Sequence, residues 1–225
     1  MGQIITALKA QKRNPNRINV YLDGEFGFGV SRIVAAWLSV GQALSDEKIS
    51  ALKIDDEIEV AYQQSLRFLA YRMRSSTEVE QYLLEKGTGP EIISQVFERL
   101  NRSGLIDDSR FAQLWTDNRS EFRPRSRRSI SRELRLKGIP DDVIENTLSE
   151  MLPEEDLAYQ AGLKYARKLT DSDRYAFFRK LGGFLGRRGF SYDVIKPVAS
   201  RLWEERENNN SNNPDFSSEK DIEER

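Results

Sequence analysis

The chain of 225 residues contains no cysteine and no histidine. Without cysteine it cannot form a disulfide framework or a thiolate zinc site. Without histidine it lacks the commonest general base and metal ligand. No pair of carboxylates stands at a spacing that would replace these groups, so the sequence predicts a protein that is not an enzyme and holds no cofactor or metal.

Long hydrophobic runs are also missing. The first residues, "MGQIITALKAQKRN", have no apolar core like that of a signal peptide, and no segment approaches the roughly 18 apolar residues of a membrane span. We therefore expect no membrane contact and a cytoplasmic location. With 38% hydrophobic and 32% charged residues, the composition predicts thin packed layers and an elongated monomer.

The formal net charge of −1 conceals an uneven distribution of charge. Residues 61–206 carry 26 basic and 22 acidic side chains, whereas residues 207–225 carry 2 and 6. Two basic segments, 119–137 and 164–188, each hold 8 basic against 2 acidic side chains. We expect these segments to form patches that contact phosphate or an acidic protein surface. The tail is rich in Asn, Ser and acidic residues and is predicted to be disordered.

The candidate residues for binding a partner or DNA are basic side chains of these two segments. For any one of them a solvated helix face is an equally good explanation, so the prediction concerns the patches as wholes. The candidates are Arg119, Arg123, Arg125, Arg127, Arg128, Arg132, Arg135, Lys137, Lys164, Arg167, Lys168, Arg187 and Arg188.

The amino-terminal 60 residues are predicted to form a small module that contains a β-hairpin. "QIITALKAQ" and "INVYLDGEFGFGV" have the composition of strands, and Asp23-Gly24 is a hairpin turn signal. Short helices are expected at "SRIVAAWL" and "SDEKISALK". The glycines near residue 27 are not followed by Lys-Ser/Thr, so a hairpin turn with a bulge is favoured over a phosphate-binding loop, and no ATP site is expected.

One short phrase of sequence recurs three times in similar form, as "EKGTGPEII", "LKGIPDDVI" and "RRGFSYDVI". Its glycines, Gly87, Gly138 and Gly189, stand at intervals of 51 residues. A basic residue followed by glycine ends a helix, and the acidic residues that come next favour the start of another. The phrase therefore predicts a helix-turn-helix connector. Shifting the sequence by 51 also aligns apolar residues with apolar residues, as at Leu83, Leu134 and Leu185.

A further helix is predicted before each connector pair, at "QQSLRFLAYRMR", "DDSRFAQLWTDNR" and "PEEDLAYQAGLKYARKL". The fold class is therefore mainly α, with tandem three-helix repeats that form an elongated or curved array after the small β-containing module. The predicted domains are 1–60 for the module, 61–106, 107–152 and 153–206 for the repeats, and 207–225 for the tail.

Two other features favour structural explanations. Asp107 and Asp108 are expected to cap and charge the start of the next helix rather than to bind metal. The aromatic residues at helical spacing are expected to lie in the core rather than to stack on bases. These aromatic residues are Phe111, Trp115, Phe177, Phe178, Phe184 and Trp203.

The runs "LRFLAYRMRSSTEVEQYLLEKG", "LNRSGLIDDSRFAQLWTDNR" and "ISRELRLKGIPDDVI" resemble the RecX family, bacterial regulators of the RecA recombinase built from tandem three-helix repeats. The most distinctive part is the run from Gly104 to Arg119, followed by Glu133 to Ile139. The resemblance covers about residues 61–205. It implies a protein that binds the RecA–DNA filament in its groove and suppresses filament growth, ATP hydrolysis and strand exchange.

The alternative from the residues alone is a general DNA-binding protein whose helix-turn-helix elements read duplex DNA directly. Beside the filament, the basic segments are expected to bind single-stranded and double-stranded DNA through weak electrostatic contacts. Against this alternative, no set of Asn, Gln and Arg side chains recurs as a recognition face on all three repeats. The helix "STEVEQYLLEK" of the first repeat is in fact acidic.

Overall fold

The computed structural model describes residues 2–170 and 173–211. The chain divides into two compact units, Met1–Phe111 and Ala112–Arg225. The described residues form four strands and ten helices. The strands are β1 (Gln3–Ala10), β2 (Arg17–Leu22), β3 (Glu25–Ser31) and β4 (Ala43–Leu44). The helices are α1 (Arg32–Ala35), α2 (Asp46–Ala70), α3 (Ser76–Glu85), α4 (Pro90–Arg102), α5 (Asp108–Phe122), α6 (Arg127–Leu136), α7 (Asp141–Ser149), α8 (Glu154–Ala166), α9 (Arg174–Arg187) and α10 (Tyr192–Ser211).

The predicted β-containing module is confirmed as a four-stranded antiparallel sheet in the order β3-β2-β1-β4. The turn between β2 and β3 is the two residues Asp23 and Gly24, both with positive φ, as hairpins that match the strand twist require. The pairing register shifts between Val20 and Tyr21, opposite the glycine-containing strand β3. The glycines of this stretch therefore serve a hairpin and a bulge, as the sequence predicts.

A carboxylate in α2 ties the sheet of the first unit to this helix. Asp56 is 7% exposed and accepts hydrogen bonds from Arg17 Nη2 at 2.8 Å and from the backbone N–H of Ser31 at 2.5 Å. Further along α2, Glu59 accepts a bond from Arg99 Nη1 of α4 at 2.5 Å. Because both carboxylates are buried and paired, they fix which face of α2 meets the sheet and which meets α4.

Helix α2 runs through residue 60, where the module is predicted to end and the first repeat to begin. The sequence analysis ended a short helix near Lys53 and began a new one at Gln63, but α2 is a single helix of 25 residues. No glycine or proline lies between Asp46 and Ala70, and buried residues recur along its length, including Leu52 and Tyr62. The last helix of the module and the first helix of the first repeat are therefore the same element.

The three connectors have the same local structure. Gly87, Gly138 and Gly189 have φ of 80°, 74° and 91°, a conformation that favours glycine. In each connector the N–H after the glycine reaches back to the carbonyl of a leucine five residues earlier. These bonds run from Thr88 to Leu83, from Ile139 to Leu134 and from Phe190 to Leu185. This is the Schellman motif, and it confirms the predicted helix-turn-helix connectors.

The residues aligned by the 51-residue shift lie in the cores of the repeats. Leu83, Leu134 and Leu185 are all 0% exposed, and so are their aligned neighbours one turn earlier, Val79, Ile130 and Leu181. Each middle helix, α3, α6 or α9, therefore presents the same apolar stripe to its own repeat. The prediction of a mainly helical fold with three tandem three-helix repeats is confirmed.

A carboxylate contact joins each of the first two repeats to the first helix of the next. The Ser76 backbone N–H at the start of α3 donates to Asp108 Oδ1 of α5 at 2.8 Å. The Arg127 backbone N–H at the start of α6 donates to Glu154 Oε1 of α8 at 3.1 Å. Each carboxylate meets the positive end of a neighbouring helix, which satisfies an N–H that has no partner within its own helix.

Two expectations concern the ends and the surface of the chain. Helix α10 continues to Ser211, so residues 207–211 of the predicted disordered tail are helical. The rest of that tail, residues 212–225, lies outside the described residues. Across the described ranges, none of the helices combines the length and the apolar character needed to cross a membrane.

Candidate nucleic-acid interface

The second unit brings the two basic segments into contact. The Ser126 backbone N–H, just before α6, donates to the carbonyl of Arg188 at 3.1 Å, and Ser129 Oγ donates to the same carbonyl at 3.2 Å. In return, Arg188 Nη1 donates to the carbonyl of Pro124 at 2.9 Å. The loop between α5 and α6 therefore packs on the connector after α9, although about 60 residues of sequence separate them.

This contact holds several guanidinium groups close together. Burial and then the charges of Arg125 and Arg123 lower the pKa of Arg188 from its ordinary value. The guanidinium of Arg188 also lies 4.5 Å from the ring centroid of Phe184, a cation–π contact. Because mutual repulsion opposes this cluster, an anion that binds beside it would be stabilised electrostatically.

Glu133 of α6 is the carboxylate that organises the first basic segment. Its Oε2 accepts bonds from Trp115 Nε1 at 2.9 Å and from Arg119 Nε at 2.7 Å. Its Oε1 accepts a bond from Arg125 Nη1 at 2.6 Å. The guanidinium of Arg119 also lies 4.5 Å from the ring centroid of Trp115. Glu133 therefore fixes two of the predicted DNA-binding arginines against one tryptophan.

The sequence analysis did not single out Glu133, but the repeat register contains a signal for it. A shift of 51 residues aligns Glu133 with Tyr82 and Phe184. Tyr82 stacks on Phe68 at 4.1 Å between ring centroids, and Phe184 stacks on Tyr165 at 4.2 Å. The middle repeat thus has Glu133, bound to Trp115, at the position where each outer repeat has one ring of a stacked pair. This replacement gives the second repeat an acceptor for arginine.

Six of the thirteen predicted basic residues have partners inside the fold. Besides the two arginines on Glu133, Arg127 Nη2 donates to the carbonyl of Met151 at 2.7 Å, and Arg135 Nε donates to Asp141 at 2.7 Å. The Lys137 ammonium lies 5.5 Å from the centre of the Trp115 ring. These side chains therefore already make polar or cation–π contacts within the fold. The six are Arg119, Arg125, Arg127, Arg135, Lys137 and Arg188.

The other seven predicted residues are exposed, and no described residue pairs with their side chains. They belong to both basic segments, and their charges are available to an external ligand because no described residue pairs with them. Their contact with a partner stays a prediction. The seven are Arg123, Arg128, Arg132, Lys164, Arg167, Lys168 and Arg187.

The structure also locates the acidic pair, which could cap a helix or bind metal, and the aromatic residues, which could lie in the core or stack on bases. Asp107 caps α5, since its Oδ1 accepts the N–H of Arg110 at 2.9 Å. Asp108 instead accepts from Ser76, so only the first of the pair caps its own helix. Phe111 and Phe177 are buried at 4% and 0% exposure, as expected of core residues. Among the remaining predicted aromatic residues, Trp115, Phe178, Phe184 and Trp203 are half-buried.

We expect Glu133→Gln to strengthen DNA binding and weaken the fold. The amide keeps the shape of the side chain but removes the charge that engages Arg119 and Arg125, so both arginines become available to phosphate. We expect roughly threefold tighter binding of single-stranded DNA with a steeper salt dependence, and a loss of about 1–2 kcal/mol in the free energy of unfolding. Fluorescence anisotropy and urea denaturation measure the two effects.

Glu121→Gln is the matched control for this prediction. It makes the same charge change in the same segment at an exposed residue that no described side chain engages. Equal effects of the two variants on DNA affinity and on stability would show that Glu133 does not restrain the arginines.

The fold and this surface define a class: a protein of tandem three-helix repeats that has a basic surface formed by its second and third repeats. Comparison with known proteins identifies the family. Four RecX family models match the chain: the N-terminal domain at residues 3–45 and the first, second and third three-helix domains at 61–100, 107–148 and 153–198. The chain belongs to the RecX family of regulatory proteins.

Individual relatives agree with this assignment. The chain is 33% identical over 204 residues to Regulatory protein RecX of Bacillus subtilis, covering 88% of this chain and 76% of the relative. It is 32% identical over 213 residues to Regulatory protein RecX of Bacillus cytotoxicus, covering 91% and 78%. A crystal structure of regulatory protein RecX matches with a TM-score of 0.70 at 28% identity, covering 88% of this chain and 99% of that chain. RecX from Lactobacillus salivarius matches with a TM-score of 0.58 at 28% identity, covering 67% and 99%.

Proposed function

We propose that this chain is a regulatory protein, without a catalytic step of its own, that binds the RecA–DNA filament. Through this binding it inhibits ATP hydrolysis, filament growth and strand exchange by RecA. Membership of the RecX family supports the proposal, since RecX proteins are named as regulators. The basic surface of the second unit supports it independently.

The observation that carries the proposal is the convergence of both basic segments at the contact between Pro124 and Arg188. Seven basic side chains of these segments are exposed, and none is paired within the part of the chain that the structure describes. A nucleoprotein filament is a long anionic partner. A surface of unpaired cations attracts it over distances near the Debye length of about 8–10 Å.

Inhibition follows if this surface binds one state of the filament better than another. Nucleotide turnover moves neighbouring recombinase subunits relative to each other. A ligand that bridges two subunits and the DNA favours the arrangement in which all its contacts are made, so it opposes the arrangements in which they are broken. The basic surface of the second unit provides the bridge, and the first repeat and the β-containing module extend or orient the contact.

The competing proposal is a general DNA binder that uses its helix-turn-helix elements directly. The middle helices argue against a shared recognition role. Helix α6 carries four arginines, whereas the equivalent α3 carries three glutamates and no basic residue. The positive charge of the second unit fits contact with DNA. The difference in charge between α3 and α6 does not fit three equivalent recognition helices.

The deciding experiment titrates the protein into the DNA-dependent ATPase reaction of the cognate RecA at fixed single-stranded DNA, with binding to the same DNA measured in the absence of RecA. We expect inhibition at concentrations well below those that coat the bare DNA. Inhibition that begins only when free DNA is saturated would contradict the filament-directed function and favour the general DNA binder.

A further inference from the structure

Phe122 is an exposed aromatic residue within a basic segment of the chain. It is the last residue of α5 and 64% of its surface is exposed, whereas Phe111 on the same helix is 4% exposed. It is also the only aromatic residue in the basic segment 119–137. The ring takes no part in the Glu133 cluster, which is formed by Trp115, Arg119 and Arg125.

The position of Phe122 is fixed by its neighbours. It follows Trp115 by seven residues and Arg119 by three, so it continues the helix face on which Arg119 packs over Trp115. The helix continues through it, since the Arg123 N–H donates to the Arg119 carbonyl at 3.0 Å. Two residues later, Arg188 holds the carbonyl of Pro124. The ring is therefore presented by an anchored backbone and not by a mobile loop tip.

Two unpaired cations follow this ring closely in the sequence. Arg123 is the next residue, and Arg128 lies in the first turn of α6 (Arg127–Leu136), after the anchored Pro124. Both arginines are exposed, and neither side chain has a partner in the described ranges. A flat apolar ring next to free guanidinium groups is the arrangement by which proteins bind single-stranded nucleic acid, with a base on the ring and phosphates on the cations.

We propose that Phe122 stacks on an unpaired base of single-stranded DNA while Arg123 and Arg128 hold the flanking phosphates. This deepens the DNA contact of the proposed function and rests on it. In duplex DNA the base faces are covered by their neighbours in the stack, so the ring adds affinity only for single strands. The surface thereby distinguishes single-stranded from duplex DNA, which charge alone does poorly.

Charge complementarity favours a nucleotide over an apolar pocket on a protein partner. A pocket that enclosed Phe122 would also have to desolvate the adjoining Arg123, which costs free energy unless a counter-charge is supplied. A nucleotide carries the ring and the counter-charge on one ligand. Nearby Glu133 cannot supply the charge, because both its oxygens already accept from Trp115, Arg119 and Arg125.

The test compares Phe122→Ala and Phe122→Trp with the natural full-length chain, without RecA. Fluorescence anisotropy measures binding to a labelled single strand, to the corresponding duplex and to an abasic strand of equal length. We expect Phe122→Ala to bind the single strand about 5- to 100-fold more weakly. We expect its affinities for the duplex and the abasic strand to stay within twofold of the natural chain. Phe122→Trp keeps a ring and should retain the single-strand affinity.

Leu136→Ala is the matched control, because Leu136 is 80% exposed in the same segment but is not aromatic. It should leave all three affinities unchanged. The inference is overturned if Phe122→Ala binds the single strand as the natural chain does, or if it weakens single strand, duplex and abasic strand equally. Those results would overturn it even where the natural chain inhibits RecA at low concentration, so its failure is distinguishable from failure of the proposed function.

Discussion

Replacing Arg123, Arg128 and Arg132 together by glutamate is expected to abolish DNA binding and inhibition of RecA while the protein stays folded. All three side chains are exposed, and none is paired in the residues that the structure describes, so the fold loses no contact. The change reverses three charges in the basic segment 119–137, which contacts the other basic segment at Pro124 and Arg188. We expect single-stranded DNA affinity to fall at least about 100-fold at 0.1 M salt, with a shallower salt dependence.

The choice of these three arginines depends on the structure. From the sequence alone, Arg125, Arg127 and Arg128 form the natural set for charge reversal. However, Arg125 is bound to Glu133, and Arg127 donates to the carbonyls of Met151 and Leu152. Reversing their charges would break the fold and the surface at once, so the loss of binding would have two explanations.

A matched variant separates a specific surface from general electrostatics. Lys12, Arg13 and Lys48 of the first unit are exposed, and no described side chain pairs with theirs. Their joint replacement by glutamate makes the same change in net charge outside both basic segments. It should reduce DNA affinity only a few-fold through the overall field. Normal inhibition by the Arg123, Arg128 and Arg132 variant, or an equal loss in both variants, would contradict the assigned surface.

The repeats were predictable because their signals are local. A connector glycine such as Gly138 is needed wherever a helix ends in a left-handed residue, and the leucine four positions before it belongs to a stripe with helical spacing. Both features follow from backbone geometry, so three copies at a constant interval identify three equivalent units. The Asp23-Gly24 hairpin was predictable for the same reason.

Tertiary pairing was not predictable in this way. Composition marks a change near residue 60, but α2 passes through it because nothing in the sequence stops the helix. Among the basic residues, composition cannot separate Arg119, which is bound to Glu133, from Arg123, which is free within the described ranges. That distinction depends on which carboxylate or carbonyl lies opposite in the folded chain. Phe122 was overlooked likewise, since exposure of an aromatic residue depends on what packs beside it.

Gly189→Ala is expected to destabilise the protein more than the equivalent substitution in the first connector, Gly87→Ala. A Cβ at this position would overlap Ser129 Oγ and lie 2.6 Å from Ser126 Oγ, the oxygen that caps α6. The residue also has φ of 91°, which costs an L-amino acid about 1–2 kcal/mol. Adding the loss of a serine cap, about 1 kcal/mol, we expect the free energy of unfolding to fall by roughly 3 kcal/mol.

Gly87→Ala is the control that isolates the contact from the backbone strain. Gly87 has a similar φ of 80°, but a Cβ there meets nothing within 4 Å. Only the strain of about 1–2 kcal/mol should remain. Urea denaturation followed by tryptophan fluorescence reports mainly on the second unit, because Trp115 and Trp203 lie there and Trp37 is already 86% exposed in the folded chain. Circular dichroism reports on both units.

For the Gly189 variant the fluorescence midpoint should therefore move by about 1 M urea or more. The Gly87 variant should leave that midpoint nearly unchanged and shift only part of the circular dichroism transition. Disruption of the Gly189 connector also removes the contact between Pro124 and Arg188 that joins the two basic segments, so DNA affinity should fall with stability in this variant alone. Equal shifts in the two variants would mean that Ser126 and Ser129 move aside at little cost. The contact between the connectors would then not be what holds the basic surface together.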